Sequence, residues 1–379
     1  MRVELKVISG AADAGALERE WEELLCACPR ATVFDSLGWA RANLRAFPNH
    51  GSWILTFREP DSYLVGVIPL VARRGRRYLR ERRWMEFAGQ PYADYASCPV
   101  RPGWEAAVAE RLAEFCRSKA DDWDGVYLDR LSADSAFLAC ISSAMKKGGL
   151  LANVREAGKI RLLNAQEHEA NADGKERTGR SLRKARTRMA EQGELTFDVF
   201  TQRDAIADRL ERFFDWHVAR FAARGLRSPL ADASHREFYR QIVDELAPKE
   251  RIWLSVLACG ARPVAMRFSP VFNGTVHLYS TCFDAAFAKC SPSMVHLEML
   301  LEHAFRSGMR CVDFGLGESP QKEFAGSGSQ TVSAVEVYSS RTALLEQRCY
   351  HAAERLRSRL PVAARLGKLL RRAFPYDVR

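Results

Sequence analysis

From Arg251 onward the chain alternates short apolar runs with turn signals. Arg251–Ala258 is one run, closed by Gly260; Pro263–Val271 is a second; Thr275–Cys282 is a third, entered through Asn273-Gly274. Runs of this length, bounded by Gly and Asn-Gly, predict antiparallel strands joined by tight hairpins. Ser291-Pro292-Ser293 then opens a helical stretch that stops at Ser307-Gly308. Ser before a first-turn Pro, with Gly just past the end, predicts both helix boundaries. Cys311–Phe314 predicts one more strand, and a polar loop follows.

The first 163 residues carry a similar plan. Strand-like pieces fall at Val3–Ile8, Trp53–Phe57, Tyr63–Val71, Trp84–Phe87 and Gly125–Leu131, and helix-like pieces at Ala16–Cys26, Trp39–Ala46, Glu105–Cys116 and Ala133–Lys147. Trp53 and Trp253 each sit in the first strand of a meander, and Asp94 and Asp284 each follow its third strand. This repetition predicts a mixed α/β protein of two like domains, 1–163 and 195–340, whose segments 40–135 and 240–320 share one plan. Mainly antiparallel sheets flanked by helices are expected in both. Residues 164–178 are polar without a period and read as a linker. In Ser181–Gln192, Leu182, Ala185 and Met189 share a helical face ringed by Arg183, Lys184, Arg186 and Arg188. The stretch 164–194 is therefore a linker plus a basic helix. Residues 341–379 read as a basic helical tail punctuated by Pro361 and Pro375.

Length and composition narrow the class. At 379 residues, two domains are expected, and 47% hydrophobic with 27% charged residues describes an ordinary globular chain rather than a disordered one. No apolar run approaches the roughly 20 residues of a membrane span, and MRVELKVISG alternates like a strand instead of forming a signal peptide. The ten cysteines include no C-x-x-C pair, which predicts reduced thiols, a cytoplasmic chain and no metal. The net charge of +10 is concentrated: Arg73–Arg83 carries +6, Lys175–Gln192 carries +5 and Arg341–Arg379 carries +7. Such patches suit solvated faces or contact with anions, among them nucleotide phosphates, lipid headgroups and RNA. Leu360, Ala363, Leu366, Leu370 and Phe374 can share one face of the tail. That face either packs on the second domain or lies on an anionic membrane surface, with the chain peripheral to the inner face of the membrane.

Seven segments, in order, carry a resemblance: FDSLGWARA (34–42), LVGVIPLVARR (64–74), FAGQPYADYA (87–96), SLRKARTRM (181–189), ARPVAMRF (261–268), YSTCFDAAFAKCSPSM (279–294) and DFGLGESPQKEF (313–324). The chain resembles the CelD/BcsL-type acyltransferases, tandem-domain members of the GNAT superfamily similar in plan to the FemABX ligases. The resemblance implies transfer of an acyl group, usually to an amine or hydroxyl of a small or saccharide-linked acceptor, in exopolysaccharide or cell-envelope metabolism. It implies acetyl-CoA or a longer acyl-CoA as co-substrate, with no tightly bound cofactor, no metal and no covalent intermediate. Two alternatives stay open: a FemABX-like transferase using aminoacyl-tRNA, and a catalytically degenerate scaffold at the membrane surface. The usual Gly-rich coenzyme A loop is replaced here by Ala288-Lys289-Cys290-Ser291-Pro292-Ser293.

Candidate residues follow from what acyl transfer requires. An amine must lose a proton, and Glu318 and Asp313, flanking the loop after the closing strand, are the candidate bases. A developing oxyanion needs a cation or N–H donors; Lys322 matches the family position. Lys289, Ser291 and Ser293, at the start of the central helix, are the candidate coenzyme A ligands through helix N-terminal amides. Tyr92, Asp94 and Tyr95 resemble an acceptor-recognition loop, with Tyr279 and Asp284 as further substrate contacts. Asp313-Phe314-Gly315 matches a kinase triplet without its accompanying motifs, and His296 and His303 lack a third metal ligand.

Overall fold

A computed structural model describes residues 2–9, 12–47, 51–60, 63–77, 80–96, 98–170, 176–317 and 328–359. The first half contains β1 (Glu4–Ser9), α1 (Glu18–Ala27), α2 (Leu37–Ala46), β2 (Gly51–Arg58), β3 (Leu64–Arg77) and β4 (Arg80–Pro91). It continues with α3 (Glu105–Ser118), β5 (Gly125–Ser132), α4 (Ala136–Lys147) and β6 (Leu151–Asn164). Between the halves lie α5 (Ala165–Ala170) and α6 (Glu176–Ala190). The second half holds β7 (Leu195–Phe200), α7 (Arg203–Ala222), α8 (Ala233–Leu246), β8 (Ile252–Cys259), β9 (Arg262–Phe272), β10 (Thr275–His277) and β11 (Ser280–Phe283). It ends with α9 (Pro292–Arg306), β12 (Cys311–Leu316), β13 (Gly328–Tyr338) and α10 (Arg341–Arg359).

One mixed sheet runs through the molecule in the order β1-β2-β3-β4-β5-β13-β6-β12-β10-β9-β8-β7. Each half contributes an antiparallel meander, then a helix, then a strand parallel to the last meander strand: β5 against β4, and β12 against β10. The halves then trade strands. β13, from the end of the second half, lies beside β5, while β6 lies beside β12, and β6 and β13 pair antiparallel from Leu162–Gly328 to Leu151–Tyr338. The sheet is therefore continuous across the pseudo-repeat.

Three features were not visible as local patterns. β6 and β13 pack at the sheet centre yet read as unremarkable sequence, because long charged residues alternate through β6 at Arg155, Lys159 and Arg161. Helices α7 and α8 lie in a region where only the β-rich plan was expected. Residues 165–170, expected in a polar linker, form α5, and Glu167 Oε2 accepts the Asn164 N–H at 3.2 Å, satisfying an otherwise orphan donor at that helix start. The basic helix is as expected, with Leu182, Ala185 and Met189 buried and Arg183, Lys184 and Arg188 exposed.

The halves are also joined by packing. α2 lies on α8, where Gly38 lets the backbone approach so closely that a Cβ there would stand 3.0 Å from Glu245 Cβ and 3.2 Å from a Leu246 methyl. Trp39, fully buried, meets Phe238 edge-on at 5.4 Å, and one apolar core holds Phe34, Trp39, Phe238 and Phe268 together. Truncating a buried tryptophan of this kind costs about 3–5 kcal/mol. This shared core fixes the loop 89–96 of the first half over the strands of the second.

Candidate active site

β10 is only three residues long, and it ends where the sheet forks. Its last residue, His277, is in register with Asp313 of the parallel strand β12. One more rung follows, Leu278 N–H to the Asp313 carbonyl at 2.7 Å, after which β11 leaves to pair with β9 alone. Among the described residues, the edge of β11 that faces β12 pairs with no strand, and the Thr281 carbonyl accepts an Arg220 N–H at 2.7 Å instead.

At the mouth of this fork three side chains meet. Asp313 is 1% exposed and His277 3%. Asp313 Oδ1 accepts the Gly315 N–H at 2.7 Å. Its Oδ2 faces His277 Nδ1 at 3.3 Å and accepts a short hydrogen bond from the Tyr95 hydroxyl, which stands 3.2 Å from the same Nδ1. A carboxylate acceptor on that side places the imidazole proton on Nδ1 and leaves the lone pair on Nε2. Nε2 is buried and has no hydrogen-bond partner among the described residues. Phe34 meets both the His277 and Tyr95 rings edge-on, at 5.2 and 5.4 Å, and fixes their planes. Burial, followed by the Asp313 charge, raises the Tyr95 hydroxyl well above its usual 10, so it stays a proton donor to the carboxylate.

The cluster is a joint product of the two halves. Tyr95 comes from the segment after β4, and its neighbours are engaged too: Tyr92 stacks on Phe47 at 4.3 Å, and its carbonyl accepts the Tyr279 hydroxyl at 2.8 Å. Asp94 lies so close to Gly315 that a Cβ there would sit 2.4 Å from Oδ2, and Gly315 has φ of +69°. Both facts favour glycine at that position.

Two cavities flank the fork. One, of about 460 Å³, is lined by Tyr95, His277 and Asp313 together with Arg30, Arg310 and Gln330. The other, of about 290 Å³, begins at Leu278–Thr281 and is walled by α7, α8, Tyr92 and Asp94. In the first half, Ala96 bridges to Leu131 beyond the β4–β5 pairing, and the cavity beside Val67, Phe87 and Gln90 measures only about 20 Å³. Open space of substrate size thus lies at the second fork.

Of the residues singled out in the sequence, the structure brings Tyr92, Asp94, Tyr95, Tyr279 and Asp313 into this region. Asp284 lines neither cavity. It follows β11, accepts the Ala286 N–H at 2.9 Å as a helix cap and pairs with Arg262 at 2.6 Å. Lys289 is exposed, and Ser291, at φ +50°, precedes α9 without capping it through its side chain. Ser293 is buried, and its hydroxyl has no partner among the described residues. Glu318 and Lys322 lie outside the described residues. His277 was not anticipated: a lone histidine in a three-residue strand has no periodicity, and only the β10–β12 register pairs it with Asp313.

Residues 176–323 match the family model of the acetyltransferase (GNAT) domain. That stretch, with its meander, central helix α9 and parallel strand β12, is similar to a GNAT domain. The chain is similar in fold to FemX, at 11% identity and a TM-score of 0.58, over 91% of this chain and 99% of that one. It is similar to L-PGS from Bacillus licheniformis, at 12% identity and a TM-score of 0.52, covering 89% and 96%. A conserved protein of unknown function from Bacteroides thetaiotaomicron also shares the fold, at 11% identity and a TM-score of 0.54, covering 89% and 99%. No curated protein matches the chain.

Proposed function

We propose that this protein is an N- or O-acyltransferase whose reaction takes place at the β10–β12 fork, with acyl-CoA as donor. The observation that supports this most is the buried Asp313–His277 pair with His277 Nε2 unpartnered, at the point where a GNAT-fold sheet opens. In this reading the donor's pyrophosphate lies at the amides and the Ser293 hydroxyl of the α9 N-terminus, with its thioester toward the fork. His277 Nε2 accepts a proton as the acceptor amine or hydroxyl attacks the thioester carbonyl. The new C–N or C–O bond forms, the C–S bond breaks, and coenzyme A leaves as a thiol after taking up a proton. Asp313 holds His277 in the required tautomer and stabilises the imidazolium; Tyr95 holds Asp313. Lys322 supplies positive charge to the oxyanion, and Glu318 assists proton removal.

The acceptor is an amine or hydroxyl on a small or saccharide-linked molecule. The test is release of coenzyme A thiol from acetyl-CoA and longer acyl-CoAs against a panel of amino sugars and amino acids. Acceptor-dependent release is expected.

A second reading, aminoacyl transfer from tRNA, is favoured by the exposed Arg183, Lys184 and Arg188 on α6 and by the FemX-like fold. A labelled aminoacyl-tRNA in the same assay separates the two. The basic tail, whose residues 360–379 lie outside the described ones, is proposed to hold the protein at anionic membranes. Among the described residues, no helix is long and apolar enough to cross a membrane. Sedimentation with phosphatidylserine vesicles, comparing the full chain with one ending at Tyr350, tests this proposal.

A further inference from the structure

The 290 Å³ cavity beside the fork has an unusual charge balance. Among the described residues, four arginines line it (Arg130, Arg220, Arg224 and Arg267), and Asp94 is the one carboxylate. Arg130 is accounted for, by Asp129 at 3.6 Å and by the Ala93 carbonyl at 2.6 Å. Arg220 gives one N–H to the Thr281 carbonyl at 2.7 Å. Arg267 is different. It is 4% exposed, and its Nε and Nη2 have no hydrogen-bond partner among the described residues.

Burial, and then the neighbouring Arg220 charge, lowers the Arg267 guanidinium to about 10, and among the described residues no carboxylate offsets either effect. Burial and Arg224 act on Arg220 in the same direction. An unpaired buried cation costs several kcal/mol, so a fold that keeps Arg267 buried beside the half-buried Arg220 favours a compensating anion. The remaining wall is aromatic, formed by Tyr92, Phe238, Tyr239 and Tyr279, and such faces suit a ring-sized body.

We infer that this cavity is the acceptor subsite and that the acceptor carries an anionic group, a carboxylate or a phosphate, held by Arg267 and Arg220. This deepens the acyltransferase reading and rests on it for the word acceptor, while the anion site itself stands on the cavity alone. The planar guanidinium fork of Arg267 would bind such a group through two N–H donors, with Arg220 as the second cation. The cavity begins at Leu278, next to His277, so an acceptor anchored by its anion would lie beside the fork.

The experiment is calorimetric titration of the full chain, at matched ionic strength, with D-glucuronate, inorganic phosphate, D-glucose and coenzyme A. Each is repeated on Arg267→Met and Arg220→Met. Glucuronate or phosphate should bind and glucose should not, with the stronger of the two anions identifying carboxylate or phosphate as the natural group. Arg267→Met should weaken anion binding about 30-fold or more, and leave coenzyme A binding within threefold. Without ligand, Arg267→Met should melt at or above the wild-type temperature, since it removes an uncompensated buried charge. A structural arginine would instead give a destabilised variant.

Glucose binding as well as glucuronate, or an Arg267→Met protein that keeps its anion affinity, overturns the inference. So does a loss of coenzyme A binding equal to the loss of anion binding, which would assign the arginines to the donor. Anion binding without acyl transfer from any donor would instead count against the enzymatic reading and leave the anion site standing.

Discussion

Asp313→Asn changes one atom of the fork and should remove the base without removing the fold. The side-chain oxygen can keep the Gly315 N–H, now held at 2.7 Å by Oδ1. The new NH₂ then occupies the place of Oδ2, facing Tyr95 and His277 Nδ1 at 3.3 Å. Two donors cannot face each other, so Nδ1 must become the acceptor and the imidazole proton must move to Nε2. The lone pair that takes the substrate proton disappears. General base catalysis of this kind contributes roughly 10²–10⁴-fold, so the variant should lose about 3–5 kcal/mol of transition-state stabilisation. Exchanging a charge-assisted hydrogen bond for neutral ones should cost about 2 kcal/mol of stability, small enough to leave a folded protein. Thiol release from acyl-CoA at saturating donor reads turnover, and calorimetry reads donor affinity. The expected signature is a fall in kcat with donor Kd unchanged, and little additional loss when His277→Ala is combined with it, because the pair acts as one unit. Turnover within threefold of wild type would refute the assigned role of Asp313.

Other perturbations test other parts of the account. Gly315→Ala should destabilise by about 2 kcal/mol or more, because φ is +69° and the added methyl meets Asp94; denaturant titration reads the loss, and an unchanged midpoint contradicts the packing. His296 is held to about 3, first by burial and then by Arg267, so the folded state favours its neutral form. Its contribution is therefore complete above the ordinary 6.5 and declines as pH falls toward 3, by up to about 1.4 kcal/mol per pH unit. His296→Gln, which keeps an N–H for the Ser255 carbonyl, should flatten that decline; equal slopes for both proteins would remove His296 from the acid response. Lys322→Ala should lower turnover about 100-fold or more, and Glu318→Gln should lower it in a pH-dependent manner. A Lys322→Ala enzyme with wild-type turnover takes that lysine out of the mechanism.

The legible part of this molecule was its local order. Asn273-Gly274, Ser291-Pro292 and Ser307-Gly308 mark element ends by turn and cap chemistry that acts over a few residues, and the structure keeps those boundaries within a residue or two. Asp313 and Tyr95 stood out because their segments resemble a family pattern. What escaped was set by distance along the chain. Tyr95 and Asp313 meet across 218 residues, and β6 and β13 pair across a similar span, so no window contains both partners. His277 became meaningful only through the β10–β12 register. Arg267 sits amid the mostly apolar run Pro263–Val271, where one internal charge gives no period to follow.

The central claim is that acyl transfer occurs at the fork and depends on His277. The most direct measurement is mass-spectrometric detection of acylated product from acetyl-CoA and a longer acyl-CoA, offered to a panel of amino sugars, uronic acids and amino acids, by wild type and by His277→Ala. The account predicts a product from wild type and at least about 100-fold less from the variant, with the donor still bound. Equal product from both proteins, or product formed only when aminoacyl-tRNA replaces acyl-CoA, would contradict it.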